Sequence, residues 1–182
     1  MTAVEIMMAE HKNITRMLKV IRKMSMEVLK GKDINYEDFY QAIDFIRNYA
    51  DNHHHKKEEV MLFNRMVENL GKVAQNSITH GMLVEHDLGR MYVRDLAEAL
   101  DKVKNGDEEA KLDVIANAIS YTNLLERHID KEDRVIYKYA ERELSEELQG
   151  NINEQCHQYE EENAATAEKY VALIEKFEEK YI

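Results

Sequence analysis

Residues 82–103, MLVEHDLGRMYVRDLAEALDKV, decide the fold class of this chain. Their apolar face advances in alternating steps of four and three residues, from Met82 through Gly89 and Val93 to Val103. Because an α-helix completes a turn in about 3.6 residues, this alternation is typical of helices that pack nearly parallel in a bundle. Apolar residues at helical spacing predict five helices, over about residues 2–30, 35–70, 76–104, 108–141 and 144–181.

The composition provides few residues for turns. The 182 residues include six glycines and no proline, whereas a β-sandwich needs many turns that draw on both residue types. The predicted loops lie at Gly31, Gly71, Gly106 and Gly150. We therefore predict an all-α protein, with an up-down-up-down four-helix bundle over residues 1–142. An additional C-terminal helix over residues 143–182 is predicted to pack on the bundle or on a partner subunit.

The charge balance and the lack of long apolar runs exclude other classes of protein. Acidic residues number 36 and basic residues 25, a formal net charge of −11. This charge disfavours nucleic-acid binding, because phosphate contacts need clustered lysine and arginine. No apolar run approaches the roughly 18–20 residues that span a bilayer, no signal-peptide pattern is visible, and the single Cys156 cannot form an intrachain disulfide. We expect a cytoplasmic protein with no nucleic-acid or membrane partner.

Polar residues interrupt the apolar faces of the four bundle helices. They are His11, His54, Glu58, His86, His128 and Glu132. Burying an imidazole or a carboxylate is costly unless it is paired or binds a metal. Each of the four histidines lies 20 residues from the predicted turn of its helical hairpin, so all four are predicted at similar height, about 30 Å from that turn at ~1.5 Å per residue. The apolar face of the fourth helix is predicted to continue beyond Glu132 through Val135 and Tyr139.

An internal repeat divides the polar residues into two sets. The first and third helices carry Glu-His at residues 10–11 and 85–86, and the second and fourth carry His-x-x-x-Glu followed by another acid at 54–59 and 128–133. Two similar hairpins with pseudo-twofold symmetry would bring two half-sites together, which suits a pair of metal ions. Nitrogen and oxygen ligands without sulfur suit iron or manganese and are compatible with zinc.

The order of these blocks resembles the hemerythrin-like, cation-binding four-helix family. The pattern His…His-x-x-x-Glu…His…His-x-x-x-Glu is complete. The surrounding strings that match are MAEH at 8–11, HHKKEE at 54–59, EHDLGR at 85–90 and HIDKED at 128–133. The resemblance covers about residues 5–140. It implies that the four histidines are terminal ligands and that Glu58 and Glu132 bridge two non-haem iron ions, with an oxo or hydroxo group completing the centre.

One position departs from the oxygen-carrying hemerythrins, which have a further histidine one turn before the ligand of the third helix. Here that residue is Met82, four residues before His86. The departure implies an additional open position at one iron ion, which favours chemistry at the metals over simple reversible oxygen carriage. The ligand set also resembles the di-iron domain of iron–sulfur cluster repair proteins, a family that usually adds an N-terminal cysteine-bearing domain.

The neighbours of the predicted ligands are assigned to other environments. His53 and His55 are predicted to point into solvent, because each is rotated by about 100° from His54 along a helix. Four acids next to the predicted ligands are predicted to be exposed surface charges and not hydrogen-bond partners of the ligands: Glu10, Glu59, Glu85 and Asp133. The histidines predicted to lie outside the site are His80 and His157. Gly89 has two interpretations, close helix packing or room for a small ligand.

These features lead to three functional hypotheses. The first is a di-iron protein that binds or senses oxygen, nitric oxide or peroxide. The alternative is a di-iron enzyme or repair factor, which turns over peroxide or nitric oxide or donates iron to damaged iron–sulfur clusters. The third is an iron store or a structural metal bundle. The sequence leaves open whether the chain is an enzyme, which residues would be catalytic and whether the chain forms a homodimer.

Overall fold

A computed structural model describes residues 1–182, which form five long helices and no strand. The helices are α1 (Ala3–Leu29), α2 (36–69), α3 (71–104), α4 (111–143) and α5 (Glu146–Tyr181). A short 3-10 turn, Glu108–Ala110, precedes α4. The all-helical prediction is confirmed. No helix combines the length and the apolar character that crossing a bilayer would require.

The helix ends follow from local sequence. Thr2 accepts a hydrogen bond from the backbone of Glu5, and the Glu5 carboxylate accepts one from the backbone of Thr2, so that the two residues form a capping box at the start of α1. The single residue Leu70 separates α2 from α3, and Gly71 has a φ of 71°. This left-handed conformation is easiest for glycine, and it reverses the chain so sharply that α3 begins five residues before its predicted start at residue 76. Gly150, predicted in a loop, lies inside α5.

Two apolar clusters fill the interior, and a polar layer separates them. Along α1, Met7 belongs to the smaller cluster and Ile14 to the larger one, with His11 buried between them. Along α4, Ile129 and Ile136 flank the polar layer in the same way. The apolar packing on both sides therefore holds the polar residues at one level of the bundle and shields them from water.

Four segments of the bundle helices have wider π-helical turns, whose hydrogen bonds join residues five apart. They are Ile46–His55, Glu58–Phe63, Ile78–Met82 and Glu132–Ile136. Each wide turn takes up additional chain and changes which residues face inward after it. The prediction for Val135 is wrong for this reason: Val135 is 59% exposed, whereas Ile136 is 6% exposed and Tyr137 is fully buried.

The C-terminal helix α5 lies against α1 and α2. Its buried Tyr170, Ile174 and Phe177 belong to the larger apolar cluster, and Ile152 and Cys156 belong to the smaller one. The α5 helix therefore covers the bundle on both sides of the polar layer.

Candidate metal centre

The six residues predicted as metal ligands converge in the polar layer, each no more than 2% exposed. They come from all four bundle helices: His11, His54, Glu58, His86, His128 and Glu132. Their ligand atoms form two groups, and the atoms of each group lie within 4.8 Å of one another. We call the group with His11 and His54 the first half-site and the group with His86 and His128 the second half-site. Glu58 belongs to both groups. The structure thus brings together the residues that the turn counting placed at one height.

The distances between these atoms suit direct coordination of cations. In the first half-site, His11 Nε2 lies 3.3 Å from Glu132 Oε2, and His54 Nε2 lies 3.6 Å from Glu58 Oε2. In the second half-site, Glu58 Oε2 lies 3.5 Å from the Nε2 atom of His86. Two ligand atoms at right angles, each about 2.1 Å from one metal ion, are about 3 Å apart. Side chains that contract slightly around an ion would reach this spacing.

The two glutamates connect the half-sites. Glu132 Oε2 faces His11 in the first half-site, and Glu132 Oε1 lies 3.0 Å from His128 Nε2 in the second. Glu58 Oε2 faces His54 on one side and His86 on the other. Both carboxylates are therefore placed to span two cations.

Several of the inward-facing atoms lack hydrogen-bond partners. They are His54 Nε2, Glu58 Oε2 and both carboxylate oxygens of Glu132. His128 Nε2 lies 3.0 Å from Glu132 Oε1, but the two atoms are not aligned for a hydrogen bond. A buried polar atom without a partner costs about 1–3 kcal/mol, and more when it is charged. Cations bound between these atoms would satisfy all of them, so the donor set fits a metal centre.

Burial and mutual charge perturb the acid–base properties of the layer. Burial acts to lower the pKa of His11, but the hydrogen bond to Asp133 and the nearby charges of Glu132 and Glu58 raise it to about 10. Burial also acts to lower the pKa of His86, but the hydrogen bond to Glu59 and the charges of Glu58 and Glu132 raise it to about 10. Burial, together with repulsion from Glu132, raises the pKa of Glu58. The raised pKa values of His11 and His86 favour protonated imidazoles in the metal-free layer, and a bound metal ion would displace those protons.

The outer nitrogen of each predicted histidine ligand meets a carboxylate. The Nδ1–O distances are 2.7 Å for His11–Asp133, 2.8 Å for His54–Glu10, 2.7 Å for His86–Glu59 and 2.8 Å for His128–Glu85. A hydrogen bond from Nδ1 fixes the ring so that the Nε2 lone pair points inward. The prediction that these four acids are surface charges is wrong, since each of them orients a candidate ligand.

These four acids form a closed ring around the bundle. The acid on α1 binds the histidine on α2, the acid on α2 binds that on α3, the acid on α3 binds that on α4, and the acid on α4 binds that on α1. We call this arrangement the carboxylate ring. Each acid is next in sequence to a candidate ligand of its own helix, and this adjacency in both repeats is the sequence signal that could have revealed it.

His55 is a candidate ligand that the sequence analysis missed. It is 4% exposed, and one of its ring nitrogens lies within 4.8 Å of ligand atoms of Glu58, His86 and His128. The prediction that it points into solvent assumed regular α-helical turns, whereas the segment Ile46–His55 has wider π-helical turns. The second half-site therefore contains three imidazoles and the first contains two.

His53 is also buried, although it was predicted in solvent, but it faces away from the half-sites. Its Nε2 atom lies 3.0 Å from Glu10 and 3.3 Å from Glu160 of α5. The ammonium group of the fully buried Lys57 contacts the same two carboxylates. This network links α5 to the carboxylate ring through Glu10, which accepts a hydrogen bond from His54.

A family model described as the hemerythrin HHE cation-binding domain matches residues 2–140. The chain belongs to this hemerythrin family. The match covers every half-site residue and the complete carboxylate ring, but not α5. No curated protein matches the chain in a sequence comparison.

Tyr137 is a further residue of this hemerythrin-family site that the sequence analysis missed. Its hydroxyl group donates a hydrogen bond to Glu58 Oε1 and lies 3.4 Å from His11 Nε2. Its ring stacks on that of His11, with centroids 5.5 Å apart. The wide turn Glu132–Ile136 directs Tyr137 inward in place of the predicted Tyr139. The fully buried phenol places a hydroxyl group at the first half-site, which has the fewer imidazoles.

The remaining histidines of the hemerythrin-family chain lie outside the centre. His80 is exposed, and His157 is exposed with Nε2 2.8 Å from the backbone oxygen of Met1. Met82 is 4% exposed and belongs to the smaller apolar cluster. It is the last residue of the π-helical turn Ile78–Met82 and contributes apolar packing.

Proposed function

We propose that this protein holds two non-haem iron ions in the polar layer and binds or senses oxygen, nitric oxide or peroxide there. The observation that carries the proposal is that the buried Glu58 and Glu132 each face imidazoles of both half-sites through carboxylate oxygens that have no hydrogen-bond partner. Imidazole and carboxylate ligands suit iron, and they also accept manganese or zinc. When bound, iron would supply redox chemistry and open coordination positions for a small molecule.

Different histidines would hold the two ions. His11 and His54 would hold one ion, and His55, His86 and His128 would hold the other. Glu58 and Glu132 would span both ions. The carboxylate ring would keep the imidazole Nε2 atoms directed inward, and the two apolar clusters would exclude bulk water. An up-down-up-down arrangement of α1 to α4 is part of this proposal, because it places the four histidines at one height.

The alternative function is that of an enzyme or repair factor, with turnover of peroxide or nitric oxide or donation of iron to damaged iron–sulfur clusters. Tyr137 favours turnover, because its hydroxyl holds a proton beside Glu58 and His11. Burial, and then the charge of Glu58, raise the pKa of Tyr137 well above its usual value. A protonated phenol at the half-site with fewer imidazoles can donate a hydrogen bond to a small ligand.

Metal analysis and optical spectra of protein purified without oxygen test the proposal. The wild type is expected to contain about two iron ions per chain, and His54→Ala is expected to lose most of the metal, because it removes a buried ligand. His80→Ala, which removes an exposed histidine outside the centre, should keep the metal content. An unchanged metal content in His54→Ala would refute the ligand assignment.

The response to small molecules separates the two functions. A stable and reversible spectral change with oxygen or nitric oxide would support binding or sensing. Rapid oxidation with consumption of peroxide would support an enzyme, and restoration of a damaged iron–sulfur enzyme by the iron-loaded protein would support repair. Metal-loaded protein that responds to none of these would overturn both functions.

A further inference from the structure

The fully buried Lys57 lies in a third cluster of side chains that could bind a cation, outside the two half-sites. The cluster consists of Glu10 on α1, His53 on α2 and Glu160 on α5, and their ligand atoms lie within 4.8 Å of one another. The Lys57 ammonium group contacts both carboxylates and lies 3.4 Å from His53 Nε2. This cluster therefore contains its own cation, which the chain itself supplies.

The charges of the cluster stabilise one another. Burial acts to lower the pKa of Lys57, but the carboxylates of Glu10 and Glu160 raise it. Burial acts to raise the pKa of Glu10, but contacts with two histidines and the charge of Lys57 lower it. Lys57 and Glu10 are thus both charged at physiological pH, and removal of one charge would leave its partner buried without compensation.

Glu10 connects this cluster to the first half-site. One of its carboxylate oxygens contacts Lys57, and the other accepts a hydrogen bond from His54 Nδ1 at 2.8 Å. The carboxylate that holds an imidazole ligand increases the electron donation of that ligand. A charge beside Glu10 therefore alters the electron donation of His54, and it acts more strongly in the protein interior than it would in water.

The other three acids of the carboxylate ring have no comparable connection. Glu85 contacts Lys131, whose side chain is 43% exposed, and Glu59 contacts Arg90, whose side chain is 39% exposed. Asp133 is paired with its histidine and with no lysine or arginine. Because water and salt screen exposed charges, the acid on α1 is the ring member that a cation affects most strongly. It is also the ring acid that α5 reaches.

Hydrogen bonds on the same part of α5 fasten it to the bundle. Asn153 Oδ1 accepts a hydrogen bond from the backbone of Ala3 at 2.7 Å, and the Tyr159 hydroxyl donates one to the backbone oxygen of Asn52 at 3.0 Å. Cys156, between these two contacts, is fully buried. The position of the α5 carboxylate beside the buried ammonium group is therefore fixed from both helices that it joins.

We propose that α5 controls the first half-site, and that its Glu160 is a positioning residue that acts on His54 through the buried Lys57. Glu10 transmits the effect. The family match ends at residue 140, so this control comes from a helix outside the matched domain. The inference rests on the proposed function only for the presence of a metal ion in the first half-site.

Two substitutions that change the charge of the cluster in opposite directions test this inference. Glu160→Gln removes a negative charge and should raise the reduction potential of the iron-loaded centre, because the uncompensated ammonium group destabilises the oxidised state. Lys57→Met removes a positive charge and should lower that potential. Each shift is expected to be about 59 mV, which is a tenfold change in a one-electron equilibrium. If α5 only supports the fold, both variants would loosen the same contacts and shift the potential in the same direction.

Two further variants keep the test decisive if Lys57→Met does not fold. Glu161→Gln removes the neighbouring exposed acid of α5 and should leave the potential unchanged. The double variant Lys57→Met/Glu160→Gln removes both charges and should return the potential to the wild-type value. A wild-type potential in Glu160→Gln would overturn the inference. So would a double variant that keeps the shift of Glu160→Gln, since Lys57 would then not transmit the effect.

Zinc affinity gives a second result that does not depend on redox chemistry, because zinc has none. In competition with a chelator, Glu160→Gln should bind zinc about threefold more weakly than wild type, and Lys57→Met should bind it more tightly. Opposite changes in a protein that responds to no small molecule would retain the role of α5 and reject the proposed function. Reversible oxygen or nitric oxide binding, with equal potentials and zinc affinities in all variants, would retain the proposed function and reject the role of α5.

Discussion

His55 and His86 stack face to face, with ring centroids 3.9 Å apart and planes inclined by 12°. Burial, and then the charge of His86, lower the pKa of His55 well below its usual value, whereas the carboxylates around His86 raise the pKa of that residue to about 10. A neutral imidazole keeps a lone pair that can bind a metal. The stack therefore brings a candidate metal ligand from α2 to a half-site whose other imidazoles come from α3 and α4.

We predict that His55→Ala weakens metal binding in the second half-site. The metal content after dialysis should fall from about two ions to about one per chain, because one of three imidazoles is lost there. His80→Ala is the matched control, since His80 is exposed and outside the centre. If His55→Ala retains the wild-type metal content and affinity, then His55 is packed beside the half-site without binding a metal.

The carboxylate ring should contribute to metal affinity without touching the metal. Glu85→Gln removes the charge that accepts the hydrogen bond from His128 Nδ1, and loss of such a partner typically lowers metal affinity ~10–100-fold. Competition with a chelator of known affinity measures this change. Glu98→Gln, at an exposed position of the same helix, should bind as tightly as wild type. Equal affinities for both variants would contradict a role of the ring in orienting the ligands.

Removing the metal should destabilise the fold, because it leaves the buried imidazoles and carboxylates without their cations. A ligand present at 100 times its Kd stabilises the native state by about 2.7 kcal/mol. For a chain of this size, the melting temperature should fall by roughly 5–10 °C on chelation. Thermal unfolding followed by circular dichroism, with and without a chelator, measures the difference. Identical melting temperatures would show that metal binding and folding are not coupled.

The wide turn Glu132–Ile136 should be detectable by mutation of two adjacent residues. Ile136→Ala is expected to cost about 2–5 kcal/mol of unfolding free energy, because it leaves a cavity in the smaller apolar cluster. Val135→Ala changes an exposed residue and should cost no more than about 0.5 kcal/mol. Urea denaturation measures both values. A larger cost at Val135 would mean that α4 keeps regular α-helical turns through this segment.

The number of helices and the level of the centre could be predicted from local spacing. A helix rises by a constant amount per residue, so counting 20 residues from each turn was enough to place the four histidines at one height. The six candidate ligands also stood out as polar residues on apolar faces, where burial without a partner is costly. These features depend on short-range geometry, which one chain segment specifies without reference to the others.

The roles of His55, Tyr137 and the acids of the carboxylate ring were decided only by the packing of the whole chain. The wide π-helical turns rotate His55 and Tyr137 inward, and an alternation of three and four residues cannot anticipate where such a turn occurs. Each acid of the ring finds its histidine on a neighbouring helix, so its environment depends on which helices lie side by side and at what rotation. Interactions between distant segments settle these choices, because a hydrogen bond across helices forms only after both helices are in place.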